Sequence, residues 1–171
     1  MIGRQAAVLV IAATAVAGIG ATIVDPSPRR ITYNPSRSAP RGFYALLPIT
    51  PLSSLHRGDR LIAWPPAAAA QLADQRRYLP ASVPLLKSVA AMPGAIVCRQ
   101  GAAITINGRL LAIALGADRA ARALPRWAGC ARLRTGQVFL LGQSPDSYDG
   151  RYFGPSLREA LIARARPLWT W

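Results

Sequence analysis

Apolar and polar positions along the chain fall into short stretches separated by turn residues. Most apolar stretches are four to nine residues long and are bounded by Gly, Pro, Asn, Asp or Ser, which is typical of strands. Asn107-Gly108 lies between two such stretches and predicts a tight hairpin turn. The pattern therefore predicts a mainly β domain. The predicted strands cover residues 43–48, 60–64, 85–91, 95–98, 103–107, 110–113, 137–141 and 161–169.

Three segments depart from the strand pattern. Residues 67–78 are rich in alanine and follow Pro65-Pro66, which favours a helix with proline in its first turn. Residues 114–134 are rich in Ala and Arg and predict an irregular or partly helical chain. Residues 142–154 have the composition of a polar loop. One or two helices are therefore expected beside the strands.

The longest apolar segment, residues 6–24, contains 19 residues without a charge between Arg4 and Asp25. A helix of about 20 apolar residues spans a bilayer, whereas the apolar core of a cleaved signal peptide has only about 7–15. A retained transmembrane anchor is therefore favoured, and cleavage near Ala17 or Ala21 stays open. The predicted organisation is a tail (1–5), an anchor (6–24), a link (25–33) and a domain (34–171).

The formal net charge of +14 raises the question of an anionic partner. The arginines are scattered along the chain and form no basic arm or recognition-helix cluster. A basic surface beside anionic lipid explains the charge at least as well as DNA binding does. We therefore expect the lipid bilayer as a partner and no nucleic acid.

The chain has two cysteines, Cys98 and Cys130. An even pair fits one disulfide in an oxidising compartment, although the sequence leaves their pairing open. With no Cys-x-x-Cys and no Cys/His cluster, we expect neither a metal nor a cofactor. The flanking arginines alone favour a cytoplasmic domain, but large domains translocate regardless of flanking charge. The cysteines favour a periplasmic domain anchored in the inner membrane.

Two stretches carry candidate chemistry. Ser36 and Ser38 lie in a turn with Pro40 and Gly42 before a predicted strand, and turns use such residues for conformational reasons alone. Lys87 is the only lysine among 21 basic residues. Arginine stays charged, whereas a lysine in apolar surroundings can lose its proton and act as a base. On this stretch alone, a base and an ordinary lysine remain equal alternatives.

Four sequence blocks occur in a specific order. They are Ser36-x-Ser38-x-Pro40-x-Gly42, Gly58-Asp59, Leu86-Lys87-x-Val89-x-x-x-Pro93-Gly94 and Ser147-x-Asp149-x-Arg151-Tyr152-Phe153-Gly154. Together they resemble the membrane-anchored serine–lysine signal peptidases, the type I signal peptidases. The Ser-x-Pro-x-Gly-x-Tyr form resembles the conjugative-transfer branch, the TraF-type peptidases that mature pilin subunits. The likeness covers most of residues 34–169.

The resemblance implies a fold and a set of catalytic residues. The fold is a signal-peptidase-like antiparallel β-sheet catalytic domain behind one N-terminal transmembrane helix. Ser38 is then the nucleophile and Lys87 the general base. The Ser36 hydroxyl and the Ser38 N–H group form the oxyanion hole.

The last block supplies the supporting residues that the resemblance implies. Ser147 corresponds to the serine that orients the lysine amine. Asp149 and Arg151 correspond to a pair near the base, and Asp149 is the acid that the conjugative branch needs for catalysis. The block departs from the family pattern at Gly150, where a serine is usual. The loop from Gly142 to Ser147 is one residue shorter than in the secretory enzymes of the family.

The predicted function is a membrane-anchored serine endopeptidase that removes the leader segment from a conjugative pilin or related precursor. Two alternatives stay open: a general secretory signal peptidase, and a non-enzymatic periplasmic scaffold of a conjugation or secretion channel. The absence of Met after Ser38 favours the conjugative enzyme over the secretory one.

Overall fold

The computed structural model describes residues 11, 12, 14, 31–51 and 54–171. The chain divides into two compact units, Met1–Arg30 and Ile31–Trp171. The predicted tail and nearly all of the predicted anchor lie outside the described residues. Within the described part of the chain, no helix combines the length and hydropathy needed to cross a bilayer.

The unit from Ile31 to Trp171 is built mainly of strands, as predicted. Each predicted strand is present, and its observed bounds lie within two residues of the predicted ones. The elements are β1 (Ile31–Asn34), β2 (Gly42–Leu47), β3 (Arg60–Ala63), α1 (Ala67–Gln75), β4 (Leu85–Ala91), β5 (Ile96–Gln100), β6 (Ala103–Ile106), β7 (Arg109–Ile113), β8 (Gly129–Arg132), β9 (Gln137–Leu141), α2 (Gly150–Phe153), β10 (Ser156–Leu157), a 3-10 turn (Arg158–Ala160) and β11 (Leu161–Thr170).

The described strands form two antiparallel sheets. The large sheet has seven strands in the order β1–β2–β11–β3–β4–β9–β10, and the small sheet has four in the order β7–β6–β5–β8. In the small sheet the predicted Asn107-Gly108 turn joins β6 to β7, with both residues at positive φ. Cys98 and Cys130 lie opposite each other on β5 and β8 and form a disulfide.

Strand β9 is the structural link between the two sheets, because its side chains alternate between two cores. Phe139 and Leu141 pack with residues of β5 and β6 in the small sheet. Val138 and Leu140 pack instead with residues of β3 and β4. Full burial of each such side chain contributes roughly 1.5–3 kcal/mol. The alternation holds the end of β9, and the loop that follows it, in a fixed place.

Four details differ from the prediction. β1 begins at Ile31, inside the predicted link 25–33, because its residues pair in register with β2. β8 lies within residues 114–134, where pairing with β5 overrides a composition that favours helix. α2 lies in the predicted loop 142–154, and α1 ends at Gln75, three residues early. Local composition was wrong at the first three because pairing partners or a cap determined the structure.

Candidate active site

The turn between β1 and β2 is closed by one asparagine side chain. Asn34, the last residue of β1, is buried. Its Nδ2 donates to the carbonyl oxygens of Ser36, Ala39 and Pro40, each at 3.1 Å. Its Oδ1 accepts the N–H group of Ser36 at 3.1 Å. These bonds fix the shape of the segment that carries the half-buried Ser38.

Lys87 lies on β4 with only 3% of its surface exposed. Its Nζ donates to Ser38 Oγ at 2.9 Å and to Ser147 Oγ at 2.5 Å. Burial lowers the pKa of Lys87 from 10.5 to about 8, because desolvation disfavours the ammonium; Asp149 opposes this and Arg151 adds to it. With that pKa, roughly one amine in ten is neutral at pH 7.

Ser147 completes a triangle of side chains with Ser38 and Lys87. Its hydroxyl donates to Ser38 Oγ at 3.1 Å. The close approach depends on Gly142 at the end of β9, where an added Cβ would lie 2.7 Å from Ser147 Cβ and 3.2 Å from Ser38 Cβ. The next residue, Gln143, donates its N–H to the Ser38 carbonyl at 2.8 Å. The turn between β1 and β2, which carries Ser36 and Ser38, is called the serine turn below. The loop after β9 is therefore bonded to the serine turn through backbone and side chains.

Asp149 and Arg151 form a buried ion pair at the start of α2. Asp149 Oδ2 accepts from Arg151 Nη1 at 2.6 Å and from the Gly142 N–H at 2.7 Å, while Oδ1 accepts the Arg151 N–H at 3.0 Å as the helix cap. Burial raises the pKa of Asp149, and Arg151, Lys87 and these N–H groups oppose the increase. The three hydrogen bonds to Asp149 come from the Gly142 N–H, the Arg151 N–H and the Arg151 guanidinium, and hydrogen bonds of this kind favour the carboxylate form.

Arg151 also holds the loop that contains Ser147. Its Nη1 donates to the Ser147 carbonyl at 3.3 Å and its Nη2 to the Gly142 carbonyl at 3.1 Å. The ion pair therefore fixes both ends of the 142–147 loop. It also sets two opposite charges close to the Lys87 amine.

Ser36 lies beside Ser38 but does not present its hydroxyl hydrogen to open space. Its Oγ donates to Asn34 Oδ1 at 2.8 Å and accepts from the Ser38 N–H at 3.4 Å. The two predicted oxyanion-hole donors are thus bonded in series, from the Ser38 N–H to the Ser36 hydroxyl and on to Asn34.

The predicted site residues fall into three groups. Direct hydrogen bonds join Ser38, Lys87 and Ser147. The second group, Asp149 and Arg151, supports the loop, and the third, Ser36, flanks Ser38. The predicted disulfide pair belongs to the small sheet. In the described residues no three His, Cys, Asp or Glu side chains lie close enough to hold a metal ion.

Two residues at the site, Asn34 and Arg99, were not predicted from the sequence. Arg99 lies on β5, is 2% exposed, and donates through Nη1 to the Arg151 carbonyl. It also donates to the carbonyls of Gly101 at 3.1 Å and Pro125 at 3.4 Å. A charged residue inside the apolar stretch Ile96–Gln100, and an asparagine that ends β1 before a proline, were the only signals in the sequence.

The antiparallel β fold brings a serine, a buried lysine and a second serine into mutual contact, and comparison of the whole sequence shows the family of the chain. The family model described as signal peptidase, peptidase S26, matches residues 2–171, and the chain belongs to this family. The resemblance drawn from the four sequence blocks is thereby confirmed.

Particular relatives carry names from plasmid transfer. One plasmid transfer protein TraF of Escherichia coli is 38% identical over 91 residues, which is 51% of each chain. Another, also from Escherichia coli, is 30% identical over 149 residues, 81% of this chain and 82% of the relative. A conjugal transfer protein TraF of Agrobacterium fabrum is 37% identical over 51% of this chain and 49% of its own. The first and third matches therefore span about half of those relatives.

A solved signal peptidase I from Enterococcus faecalis is 17% identical to this chain, with a TM-score of 0.38 over 65% of this chain and 96% of that one. At that TM-score, the likeness adds nothing to the fold described above.

Proposed function

We propose that this chain is a serine endopeptidase, anchored in the inner membrane with its domain in the periplasm, that removes the leader segment from a conjugative pilin or related precursor. The observation that carries the proposal is the contact between Lys87 Nζ and Ser38 Oγ at 2.9 Å, made by an amine whose pKa is lowered to about 8. A lysine at its ordinary pKa is charged at neutral pH and cannot serve as a base. Membership of the signal peptidase family supports the same chemistry.

Acylation begins when the neutral Lys87 amine takes the hydroxyl proton of Ser38. The Ser38 oxygen attacks the scissile carbonyl carbon and forms a tetrahedral oxyanion. As this species collapses, the C–N bond breaks and the Lys87 ammonium returns its proton to the leaving amine. The leader segment is left as an ester on Ser38, and the new amino terminus departs.

Deacylation repeats the same proton transfers with water as the nucleophile. Lys87 takes a proton from water, hydroxide adds to the ester carbonyl, and the proton returns to Ser38 as the ester bond breaks. In both halves the oxyanion is stabilised by the Ser38 N–H and the Ser36 hydroxyl. Loss of one such donor typically lowers the rate by roughly 100-fold or more.

The supporting residues hold the base in position. Ser147 fixes the direction of the Lys87 amine through a 2.5 Å contact. The Asp149 carboxylate keeps the pKa of Lys87 from falling further, and Arg151 holds the loop that carries Ser147. None of these residues needs to touch the peptide for this role.

A substrate in conjugation is supported by the relatives, whose names come from plasmid and conjugal transfer. An anchor at residues 6–24 has a mechanical use as well. A membrane-bound precursor and a membrane-bound peptidase meet at a raised effective concentration.

The test is processing of a conjugative pilin precursor produced in the same cells as wild type, Ser38→Ala, Lys87→Ala or Ser88→Ala. Precursor and product are separated by mass. Ser88 is the matched control, because it is a half-buried neighbour of Lys87 on β4 that makes no side-chain bond to the triangle. We expect processing in wild type and Ser88→Ala, and none in the other two variants while their protein remains in the membrane.

Processing that survives in both Ser38→Ala and Lys87→Ala would contradict the proposal and favour the scaffold function. Processing of general secretory precursors, with the pilin precursor left intact, would favour the secretory enzyme.

A further inference from the structure

The side chain of Asn34, the last residue of β1, makes several hydrogen bonds to the serine turn. Its Nδ2 lies 3.1 Å from each of three turn carbonyl oxygens, which share its two hydrogens, and its Oδ1 accepts both the N–H and the hydroxyl of Ser36. The side chain is buried with 6% of its surface exposed, so it does not reach a bound peptide. Whatever it contributes to the reaction must pass through the turn.

We infer that Asn34 is a positioning residue that prepares the Ser36 hydroxyl for the oxyanion; the inference rests on the proposed function. Asn34 Oδ1 continues to accept the hydrogen bond from the Ser36 N–H while the Ser36 hydroxyl hydrogen changes acceptor. In the free enzyme that hydrogen is given to Asn34. When a peptide carbonyl enters, the hydrogen turns to the carbonyl oxygen.

The serial bonds through Ser36 explain how the exchange takes place. In the free protein the Ser38 N–H donates to Ser36 Oγ, and Ser36 Oγ donates to Asn34. Each of the two donors therefore has an acceptor within the turn when no peptide is bound. An entering carbonyl oxygen replaces Ser36 Oγ as the acceptor for the N–H and replaces Asn34 as the acceptor for the hydroxyl.

The Ser38 N–H bond at 3.4 Å is the weakest of the set, which fits a bond that is given up on binding. The bond from the Ser36 N–H to Asn34, at 3.1 Å, involves no exchanging hydrogen and persists. Ser36 therefore rotates about its own side-chain bond while its backbone stays fixed. The exposure of Ser36 leaves space for this rotation.

The test uses a fluorophosphonate probe, because its phosphoryl oxygen needs the same two donors as a peptide oxyanion and no natural substrate is required. The rate constant for labelling of Ser38 is measured in the full chain in detergent for wild type, Ser36→Ala, Asn34→Ala and the double variant. Asn107→Ala is the matched control, because Asn107 also accepts from a backbone N–H, that of Ile96 at 2.8 Å, but lies in the turn between β6 and β7. Thermal unfolding is followed for each variant.

We expect Ser36→Ala to slow labelling by roughly 100-fold. Asn34→Ala should slow it by about 10-fold or more, with an effect at least about 5-fold smaller when Ser36 is already alanine. Asn107→Ala should label at the wild-type rate. Effects that simply multiply in the double variant would overturn the inference and leave Asn34 as a turn residue alone.

A second variant covers the case in which Asn34→Ala does not unfold cooperatively. Asn34→Asp keeps the oxygen that accepts from Ser36 and loses the amide donor. In the Asn34→Asp protein, Ser36→Ala must still slow labelling by roughly 100-fold, and a smaller decrease in the labelling rate would overturn the inference. Failure of the proposed function is distinguishable, because wild type would then leave the pilin precursor unprocessed, whereas failure of the inference alone leaves wild-type processing intact.

Discussion

The two sheets differ in how they serve the site. The large sheet and its loops carry all the predicted catalytic side chains: Ser38 comes before β2, Lys87 lies on β4, and Asp149 follows β9. The small sheet supplies none of these, yet its strand β5 sends Arg99 to the carbonyl of Arg151. One sheet holds the proposed catalytic residues, and the other contacts the backbone of the ion pair beside them.

The difference extends to how buried charge is handled. In the large sheet a lysine is buried with serine hydroxyls as its direct partners, which depresses its pKa to about 8. Arg99 of the small sheet is buried to a similar degree, but its N–H groups donate to backbone carbonyl oxygens. Burial lowers the pKa of both residues, and only lysine can use this to become neutral at ordinary pH. Variants of each sheet should therefore fail in different ways, and we take them from the largest expected effect on turnover to the smallest.

Lys87→Met should abolish turnover, by about 1,000-fold or more, because it removes the proposed base. It should also stabilise the fold by up to about 3 kcal/mol at pH 7, since the pKa of Lys87 falls from 10.5 to about 8 on folding. The measurements are peptide cleavage and thermal or denaturant unfolding. Lys87→Arg is the control, because it keeps the charge, cannot deprotonate and should be equally inactive without the gain in stability.

The same pKa fixes the sign of the pH dependence. Between pH 8 and 10.5 the folded state binds fewer protons at Lys87 than the unfolded chain does, so this residue makes stability rise with pH there and is destabilising below that range. Turnover should rise with pH towards a midpoint near 8, as the neutral amine becomes populated. A wild-type profile that falls with pH between 6 and 8 would contradict the assignment of the base.

Asp149→Asn should lower turnover by on the order of 100-fold and leave Arg151 as an unpaired buried charge. Breaking such a pair costs about 3–5 kcal/mol of stability. The Asp149 charge raises the pKa of Lys87, so its loss should move the midpoint of the pH profile to lower pH. The profile and an unfolding curve are measured together, because a purely structural role would lower stability without shifting the midpoint.

Arg99→Met should have the smallest effect of the three. It removes donors from three carbonyls at a cost of about 1–3 kcal/mol of stability. Turnover should fall by about tenfold if some 1.4 kcal/mol of positioning is lost with it. Arg109→Met, an exposed arginine on β7 of the same sheet, is the control and should behave as wild type. Unchanged turnover in Arg99→Met would mean that the small sheet braces the fold and not the site.

Strands with clear apolar stretches, such as β4 and β9, could be predicted from the sequence within two residues. β8 could not, because its residues Gly129–Arg132 are all exposed and owe their conformation to pairing with β5. The helix α2 is four residues long and depends on the Asp149 cap and on contact with β9. Neither of these influences leaves a periodic pattern in the sequence.

The candidate site divides in the same way. Ser38 and Lys87 could be selected because a short turn motif and a lone lysine are visible in the sequence. The bonds of Asn34 and Arg99 to backbone carbonyls could not, since any turn or strand may contain such residues and only the folded chain brings the carbonyls to them. The 3.4 Å link between Ser36 and the Ser38 N–H likewise depends on the turn geometry.

Lys87 is the single lysine in the sequence, which makes it a selective target for chemical modification. Apart from the α-amino group, an amine-directed mass tag can modify only one atom of this polypeptide, the Lys87 Nζ. That atom belongs to a residue with 3% of its surface exposed, so we expect it to react only when the serine turn or the loop after β9 moves aside. The tagging rate at fixed pH therefore counts those openings, and a peptide held over Ser38 would slow it. The protein carries its own single-site reporter of access, with no introduced label.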